Sequence, residues 1–339
     1  MIQLRTCFKL RTLLNSKIPS RSYFLNQKFT ADQVKDDQNG WKSLPSQPVT
    51  PRILLKSLGE LSKFKLSSLV VLTTMSGHIM ATSTVLTPPE NLGLTLVGTA
   101  LCSFAANSLN QWAEGPLDAQ MPRTQNRPIP RLTLTPFAAF NWAVLAGTTG
   151  LSILAFGVNP MAAGLAGLTI VLYAGVYTPL KRISILNTWI GALVGAIPPL
   201  IGWSAVSSHL TPAAFILPAV LFCWQFPHFN ALSWNLRGEY ARAGYKMASV
   251  LNPKLNGRVA LRYSFALIPI TLAANAVGLT TPLFALTGNL ANAPLIFQAI
   301  RFWRKPERKS ARGLFFASLL HLPIFMTLLF VHKSNNKTT

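Results

Sequence analysis

Long apolar stretches alternate with short polar connections along most of the chain. Nine of these stretches are about twenty residues long and carry few or no charges, as expected of helices that cross a bilayer. The pattern predicts an all-α polytopic membrane protein over residues 66–332, a bundle of transmembrane helices around a central cavity, with a polar C-terminal tail at 333–339. The predicted spans are 66–86, 91–113, 136–156, 160–179, 187–206, 212–232, 261–280, 283–303 and 313–332.

The connections between the spans fall into two classes by charge. Those after the first, third, fifth and seventh spans contain no lysine or arginine, whereas those after the second, fourth, sixth and eighth are basic. Because basic residues concentrate in the loops that stay on the side of insertion, the N-terminal arm and all the basic loops are predicted to lie on one face. An odd number of spans then puts the C-terminus on the other face.

The composition supports a membrane protein and argues against some other classes. Only 12% of the residues are charged, against about a quarter in soluble domains, and the formal net charge is +22. The basic residues lie in short loops between apolar spans, so the positive charge does not indicate nucleic-acid binding. The cysteines, Cys7, Cys102 and Cys223, have no paired spacing and indicate neither a disulfide framework nor a zinc site.

The N-terminal arm has the composition of a targeting segment. Residues 1–31 are rich in Arg, Lys and Ser and contain no acid, which is typical of a mitochondrial presequence, with cleavage expected after Tyr23. Residues 32–65 are polar and proline-containing, and are predicted to be a linker on the matrix side. The sequence therefore predicts a multi-pass protein of the mitochondrial inner membrane, with its basic loops in the matrix.

Two acids, Glu114 and Asp118, stand at the end of the second span in a chain that has only nine. With Asn110 they are spaced i, i+4 and i+8, which puts three oxygen-bearing side chains on one face if the helix continues through Asp118. The alternative is that Pro116 ends the helix first and that the acids form a cap or a solvated loop. On a continuous helix the three side chains form the hard-oxygen site that Mg²⁺ accepts together with substrate phosphates.

Basic residues suited to a diphosphate lie close to these acids in the predicted topology. Arg123 and Arg127 follow the acids directly, while Lys181 and Arg182 end the fourth span. Arginine makes bidentate contacts with phosphate oxygens. The alternative is that these charges serve topology or a helix C-terminus. The combination with the acids predicts a diphosphate site at the membrane surface.

The fifth span combines small residues with prolines. Gly191 and Gly195 form a small-xxx-small pair, which predicts the close approach of a neighbouring helix backbone. Pro198 and Pro199 predict a break in the helix inside the membrane, which is tolerated where a helix lines a cavity.

Two patterns in the chain resemble the intramembrane prenyltransferases, and most closely the haem-modifying branch of that family. The patterns are N-x-x-x-E-x-x-x-D with R-T-x-N-R-P after it, and Y-T-x-L-K-R-x-S followed by G-A-x-P-P-x-x-G-W. The resemblance implies Mg²⁺-dependent farnesyl transfer from farnesyl diphosphate to a vinyl group of protoheme IX, giving haem O for haem A and cytochrome c oxidase assembly. Two alternatives stay open, a polyprenyltransferase with an aromatic acceptor (ubiquinone pathway) and a membrane carrier, although the chain has no convincing inverted repeat.

The resemblance also assigns roles to individual residues. It implies metal binding and catalysis by Asn110, Glu114, Asp118 and Glu239. It implies diphosphate binding by Arg123, Arg127, Lys181, Arg182 and Lys246. Glu239 is the one acid where the wider family has a fuller second acidic motif, so this chain offers fewer ligands for a second metal ion.

His228, in the run P-H-F-N-A-L-S-W, is expected to contact or ligate haem, since imidazole is a common iron ligand. The alternative is a buried histidine that is only hydrogen-bonded. The expected surroundings are the lipid bilayer and the two substrates. A second copy of the chain and the haem A synthase are the candidate protein partners.

Overall fold

The structure, a computed structural model, describes residues 50–82, 88–207 and 209–334. Within these ranges it contains helices and no β-strand, apart from an isolated bridge between Thr280 and Lys333. The all-α fold class predicted from the sequence is confirmed. The predicted presequence and most of the predicted tail lie outside the described residues. The helices are α1 (Pro51–Leu61), α2 (Phe64–Ala81), α3 (Pro89–Asp118), α4 (Pro136–Gly157), α5 (Pro160–Ile170), α6 (Thr178–Ile183), α7 (Asn187–Ala196), α8 (Pro198–Val206), α9 (Ile216–Asn235), α10 (Arg237–Arg242), α11 (Ala248–Leu251), α12 (Pro253–Ala276), α13 (Leu283–Arg304) and α14 (Arg308–Val331).

Eight helical segments of the described chain are long and apolar enough to cross a bilayer, and they correspond to the second to ninth predicted spans. The first predicted span forms α2, which has 18 residues and is not among the eight. Lys65, His78 and several hydroxyl side chains lower its apolar content. The approximate number of spans predicted from the sequence is therefore close to what the structure contains.

The described part of the predicted linker at 32–65 contains a helix, Pro51–Leu61, and the start of α2. Helix α1 begins at Pro51, a proline that belongs to the predicted linker; at a first helical position its missing N–H breaks no intrahelical hydrogen bond. The helix buries Ser57 and Leu61 and leaves Leu55 exposed. The chain entering the membrane domain is thus an ordered helix rather than an extended connection.

The membrane helices pack in two groups that meet at the broken fifth span. Helices α2, α3, α4, α5 and α8 contact one another in neighbouring pairs, and so do α7, α9, α12, α13 and α14. Helix α7 ends at Ala196 and α8 begins at Pro198, so the break predicted at Pro198 and Pro199 is confirmed. At this break the chain passes from one group of helices to the other.

The backbones of α2 and α8 touch at two glycines. A Cβ atom at Gly202 would overlap the carbonyl oxygen of Thr74, and one at Gly77 would overlap that of Pro199. Only glycine allows this approach, which fixes α8 against α2.

The backbone approach predicted at Gly191 and Gly195 is wrong. A Cβ atom at Gly191 would lie 2.9 Å from the ring of Tyr177, and one at Gly195 would overlap the amide of Gln225. These two glycines make room for side chains, not for a helix backbone, because the helix that packs on α7 presents the large Gln225 at this point.

The two ends of the bundle differ in chemistry. At one end, Lys333 Nζ donates to the carbonyl oxygens of Ile79 (2.6 Å) and Thr82, and Thr280 bridges to Lys333, so the end of α2 meets the start of α13 and the end of α14. The opposite end gathers the start of α2 and the ends of α3 and α6, and it carries the candidate site.

Candidate functional site

Three oxygen-bearing side chains lie on one face of α3, as the sequence spacing predicts. The helix continues past Pro116 and ends at Asp118, so the alternative in which proline stops it does not apply. Asn110, Glu114 and Asp118 are 1%, 4% and 1% exposed. Two carboxylates are therefore buried together, which demands compensation by positive charge.

Basic side chains from three different segments supply this compensation, one for each residue of the α3 face. The pairs are Lys63 Nζ to Asn110 Oδ1 (2.7 Å), Lys181 Nζ to Glu114 Oε1 (2.7 Å) and Arg127 NH1 to Asp118 Oδ2 (2.6 Å). Oxygen-bearing side chains and basic side chains thus meet at one place, the end of α3.

The donor set of this face fits a divalent cation. Asp118 Oδ1 is buried and has no hydrogen-bond partner among the described residues, although a buried carboxylate oxygen is costly when unpaired. Two carboxylates beside an amide oxygen match the ligand preference of Mg²⁺, which also keeps places for water and phosphate. No group of three or more His, Cys, Asp or Glu side chains placed to hold a metal occurs in the described part of the chain. Glu239 is therefore not gathered with Glu114 and Asp118 into such a group.

Lys63 belongs to this cluster but was not among the predicted site residues. It has a left-handed backbone (φ 47°) at the junction of α1 and α2, and its amine also lies 3.4 Å from the hydroxyl of Tyr173. Burial lowers the pKa of Lys63 well below its ordinary value, and the charges of Arg127 and Lys181 lower it further, while Glu114 and Asp118 oppose the shift. A buried amine with a lowered pKa gains most from an incoming anion.

The junction that carries Lys63 is fixed to α3 and to α4. Gln111 Nε2 donates to the carbonyl oxygens of Glu60 (3.0 Å) and Leu61 (2.6 Å). Trp142 Nε1 donates to Ser62 Oγ (3.0 Å). In the sequence Lys63 is one of several basic residues before an apolar span, so only these tertiary contacts reveal its role.

A π-helical segment, Val171–Tyr177, forms the aromatic side of the cluster. It lies between α5 and α6 and stacks Tyr173 on Tyr177 with ring centroids 5.4 Å apart. Lys181 Nζ lies 4.6 Å from the Tyr177 ring centre. Thr178 links this segment to α3, since Asn110 Nδ2 donates to Thr178 Oγ1 (3.0 Å). Single π-helical turns often mark functional sites, and here one places two aromatic rings beside the buried charges.

The other predicted diphosphate ligands lie further out. Arg123, Arg182 and Lys246 have exposed side chains. Lys246 is nevertheless held next to the cluster, because its backbone N–H donates to the carbonyl oxygen of Lys181 (2.7 Å). The structure therefore brings Arg127 and Lys181 to the acids, keeps Lys246 beside them and leaves Arg123 and Arg182 solvent-accessible.

Glu239 lies on α10, in the segment that follows the sixth span. The carboxylate is half-buried, and its Oε2 is buried without a hydrogen-bond partner among the described residues. Its neighbour Tyr240 packs with Tyr245 and with Met121 from the loop after α3. The segment is thus held near the acids, while the carboxylate itself forms no ion pair with any basic residue that the structure describes.

His228 is held in one tautomer by α14. Its Nδ1 lies 2.9 Å from Ser318 Oγ, and that hydroxyl donates its one proton to the carbonyl oxygen of Phe315 (2.6 Å). His228 Nδ1–H must therefore be the donor, which leaves a lone pair on Nε2. Trp224 stacks on the imidazole at 4.7 Å and donates to the carbonyl oxygen of Ser318 (2.8 Å). Within the described part of the chain the hydrogen bond of the imidazole is made by Nδ1, so the lone pair of Nε2 is not engaged in it.

Comparison with known proteins identifies relatives over most of the chain. The UbiA prenyltransferase family model matches residues 70–320. The human protein named protoheme IX farnesyltransferase, mitochondrial, is 45% identical over 298 residues, which are 88% of this chain and 66% of that protein. The chain therefore spans slightly less than two thirds of the length of this relative.

Two solved structures share the fold. A digeranylgeranylglyceryl phosphate synthase matches with a TM-score of 0.71 at 12% identity, over 82% of this chain and 98% of its own. A UbiA homolog from Archaeoglobus fulgidus bound to DMAPP and Mg²⁺ matches with a TM-score of 0.59 at 12% identity, over 80% of this chain and 99% of its own. At such low identity the likeness is one of fold.

Proposed function

This chain belongs to the UbiA prenyltransferase family, and we propose that it transfers the farnesyl group of farnesyl diphosphate to a vinyl group of protoheme IX, making haem O. The identity to the human protoheme IX farnesyltransferase supports this pair of substrates. The observation that carries the proposal is the buried face of α3, where each of three oxygen-bearing side chains is matched by one basic side chain.

The basic residues bind the diphosphate by exchanging partners. Lys181 and Arg127 hold Glu114 and Asp118 in the structure, and their side chains keep 12% and 23% exposure, so an entering phosphate can reach them. When they turn to phosphate oxygens, both carboxylates lose their counter-charge. Lys63, whose amine donates to Asn110 Oδ1, is the third basic residue that serves the diphosphate.

The released carboxylates fit a divalent cation. Asn110, Glu114 and Asp118 would hold Mg²⁺, and the A. fulgidus homolog bound to DMAPP and Mg²⁺ supports the use of this cation in a protein of the same fold. When bound, the cation supplies charge neutralisation for the departing diphosphate. Lys63, Lys181 and Arg127 stabilise the remaining negative charge, and Arg123, Arg182 and Lys246 attract the substrate from the basic face.

The reaction needs no nucleophilic side chain. The bond between the farnesyl C1 atom and its oxygen breaks, and the diphosphate leaves with the electron pair. The terminal vinyl carbon of haem bonds to C1, and water captures the cation on the adjacent carbon and loses a proton. The rings of Tyr173 and Tyr177 lie beside the charged cluster and can stabilise the allylic cation through their π faces.

His228 is the proposed haem contact. A metal-ligating imidazole usually donates its other N–H to a fixed acceptor, which sets the tautomer. Ser318 fills that role for His228, which leaves Nε2 as the ligand atom for the haem iron.

The proposed location is the mitochondrial inner membrane, with the basic loops and the site in the matrix. The name of the human relative and the basic N-terminal arm support it. Labelling of Gln120→Cys in mitoplasts with an impermeant thiol reagent tests the orientation. Protection until the membrane is opened is expected, and labelling from the intermembrane-space side would reverse the assignment.

Product analysis tests the reaction itself. Purified protein is incubated with farnesyl diphosphate, Mg²⁺ and an equimolar mixture of protoheme and a 4-hydroxybenzoate acceptor, and the products are weighed by mass spectrometry. The proposal expects protoheme to gain a farnesyl group and one hydroxyl group, the oxygen coming from water. A prenylated benzoate as the main product would support the aromatic-acceptor alternative instead.

A further inference from the structure

A second positively charged feature lies outside the diphosphate cluster. A pocket of about 420 Å³ is lined by Asn235, Arg237, Gly238 and Arg308, at the end of α9 and the starts of α10 and α14. None of these residues takes part in the contacts around Glu114 and Asp118. Arg237 and Arg308 are exposed, and neither forms an ion pair within the described part of the chain. Two unpaired guanidinium groups around one pocket indicate an anionic ligand.

The structure holds Arg237 in position while leaving most of its donors free. Its guanidinium lies 4.4 Å from the ring centre of Trp234 and donates once, from NH1 to the Trp234 carbonyl oxygen (2.8 Å). An arginine has five N–H donors, so the others remain for a ligand. A Cβ at Gly238 would meet nothing within 4 Å, which keeps the pocket open there.

Arg308 is the first residue of α14, where the helix dipole adds positive potential. Two acids stand near the pocket in the chain. Glu307 is engaged, because its side chain accepts from the backbone of Ser310 in a capping box. Glu239 has one oxygen buried away from solvent. Neither acid is among the residues that line the pocket, whereas both arginines are, so the lining is positively charged.

The pocket and His228 lie along the same pair of packed helices. Asn235 is seven residues after His228 on α9, which is about 10 Å along a helix. Arg308 is ten residues before Ser318 on α14, about 15 Å along the helix. Helices α9 and α14 pack against each other, and His228 meets Ser318 between them. The pocket is thus at the basic end of this contact, with the imidazole deeper inside.

We propose that this pocket binds the propionate carboxylates of protoheme IX; the inference rests on the proposed function. Both propionates leave one edge of the macrocycle, whereas the rest of haem is apolar. Carboxylates are costly inside the bilayer, so they stay at the surface, where Arg237 and Arg308 pair with them. The macrocycle then extends inwards towards His228 Nε2, and the hydrocarbon edge with the vinyl groups lies in the membrane.

Binding of protoheme and of its dimethyl ester, which lacks the negative charges, tests the proposal. Full-length protein in detergent is titrated with each compound and the Soret band is followed, for the parent chain and for Arg237→Gln, Arg308→Gln and the double variant. The matched control is Arg304→Gln, an exposed arginine at the end of α13 that does not line the pocket. The parent chain is expected to bind protoheme at least about tenfold more tightly than the ester, since charge-assisted bonds are lost with the ester. The double variant should bind both compounds with the affinity of the ester, and Arg304→Gln should behave as the parent chain.

Several outcomes separate this proposal from the proposed function. Equal affinity of the parent chain for protoheme and its ester, with normal farnesyl transfer, overturns the pocket assignment and leaves the function standing. Loss of co-purifying anionic lipid in the arginine variants, with unchanged protoheme affinity, assigns the pocket to a lipid phosphate and also overturns it. Absence of any haem binding or farnesyl transfer by the parent chain contradicts the proposed function itself. Pyrophosphate binding serves as a folding control and should be the same in all variants.

Discussion

Replacing Asp118 with asparagine keeps the size of the side chain and removes the charge that the site uses. Asp118 is 1% exposed, and its Oδ2 lies 2.6 Å from Arg127 NH1. The variant therefore tests two things together, the buried ion pair and the binding of the leaving diphosphate. We expect both stability and turnover to fall, but by amounts that can be told apart.

The structure sets the size of the stability loss. Removing one partner of a fully buried ion pair costs about 3–5 kcal/mol. Arg127 keeps 23% exposure and can be solvated when its partner is lost, so we expect about 2–3 kcal/mol. The matched control is Glu60→Gln, which breaks the Arg131–Glu60 pair; both of those side chains are about one third exposed, so less than about 1 kcal/mol is expected there.

Turnover per folded molecule should fall much further than stability alone explains. Loss of charge stabilisation of about 3–4 kcal/mol in the transition state corresponds to a factor of about 100 to 1000. Haem O formation is measured at saturating Mg²⁺, together with thermal unfolding in detergent, for Asp118→Asn, Glu114→Gln and Glu60→Gln. Near-normal turnover of the folded fraction in both site variants would refute the metal–diphosphate assignment, and a large activity loss in Glu60→Gln would show that the assay reports folding alone.

Three further variants test the basic residue Lys63, the hydrogen bond between His228 and Ser318 and the close packing at Gly202. Lys63→Met should raise the KM for farnesyl diphosphate at least about tenfold with little change in protoheme affinity, since a charged hydrogen bond is lost; steady-state kinetics checks it, and an unchanged KM would remove Lys63 from the site. Ser318→Ala should alter the Soret spectrum of bound haem, with rescue by Ser318→Thr and no effect of Ser264→Ala, a buried serine bonded only to its own helix; an unchanged spectrum would count against His228 as the ligand. Gly202→Ala should lower the melting temperature clearly, because its Cβ would overlap the Thr74 carbonyl oxygen and overpacking costs about 1–3 kcal/mol; a melting temperature equal to that of the parent would mean that α2 and α8 move apart easily.

The membrane helices could be predicted from the sequence, because a bilayer dictates the length and the apolar composition of a helix that crosses it. Eight of the predicted spans have counterparts of spanning length, and the break at Pro198 follows from proline chemistry. Helix α1 was not predicted, because proline is common both in linkers and at the first position of a helix. The presence of Pro51 therefore does not distinguish the two. The packing role given to Gly191 and Gly195 was wrong, because a small residue in the sequence does not show whether a side chain or a backbone fills the space.

The candidate site was partly predictable. The i, i+4, i+8 spacing needs only a continuous helix, so the face of Asn110, Glu114 and Asp118 followed from the chain alone. Which cation meets which oxygen depends on tertiary contacts, and Lys63 enters the site through a left-handed turn that no sequence pattern marks. Glu239 differs from Lys63 in the opposite way. The sequence placed it among the metal ligands, but the structure does not gather its carboxylate into a group with the other acids.

In the proposed reaction, Lys181 and Arg127 exchange the carboxylates of α3 for a diphosphate while those carboxylates take a divalent cation. Calorimetric titration of the purified protein with Mg²⁺ alone, pyrophosphate alone and each in the presence of the other tests it directly. We expect weak binding of either ligand alone, because the internal pairs must break, and binding of each at least about tenfold tighter when the other is present. The same strengthening should disappear in Asp118→Asn. Independent binding of the two ligands in the parent chain, with no mutual effect, would contradict the claim.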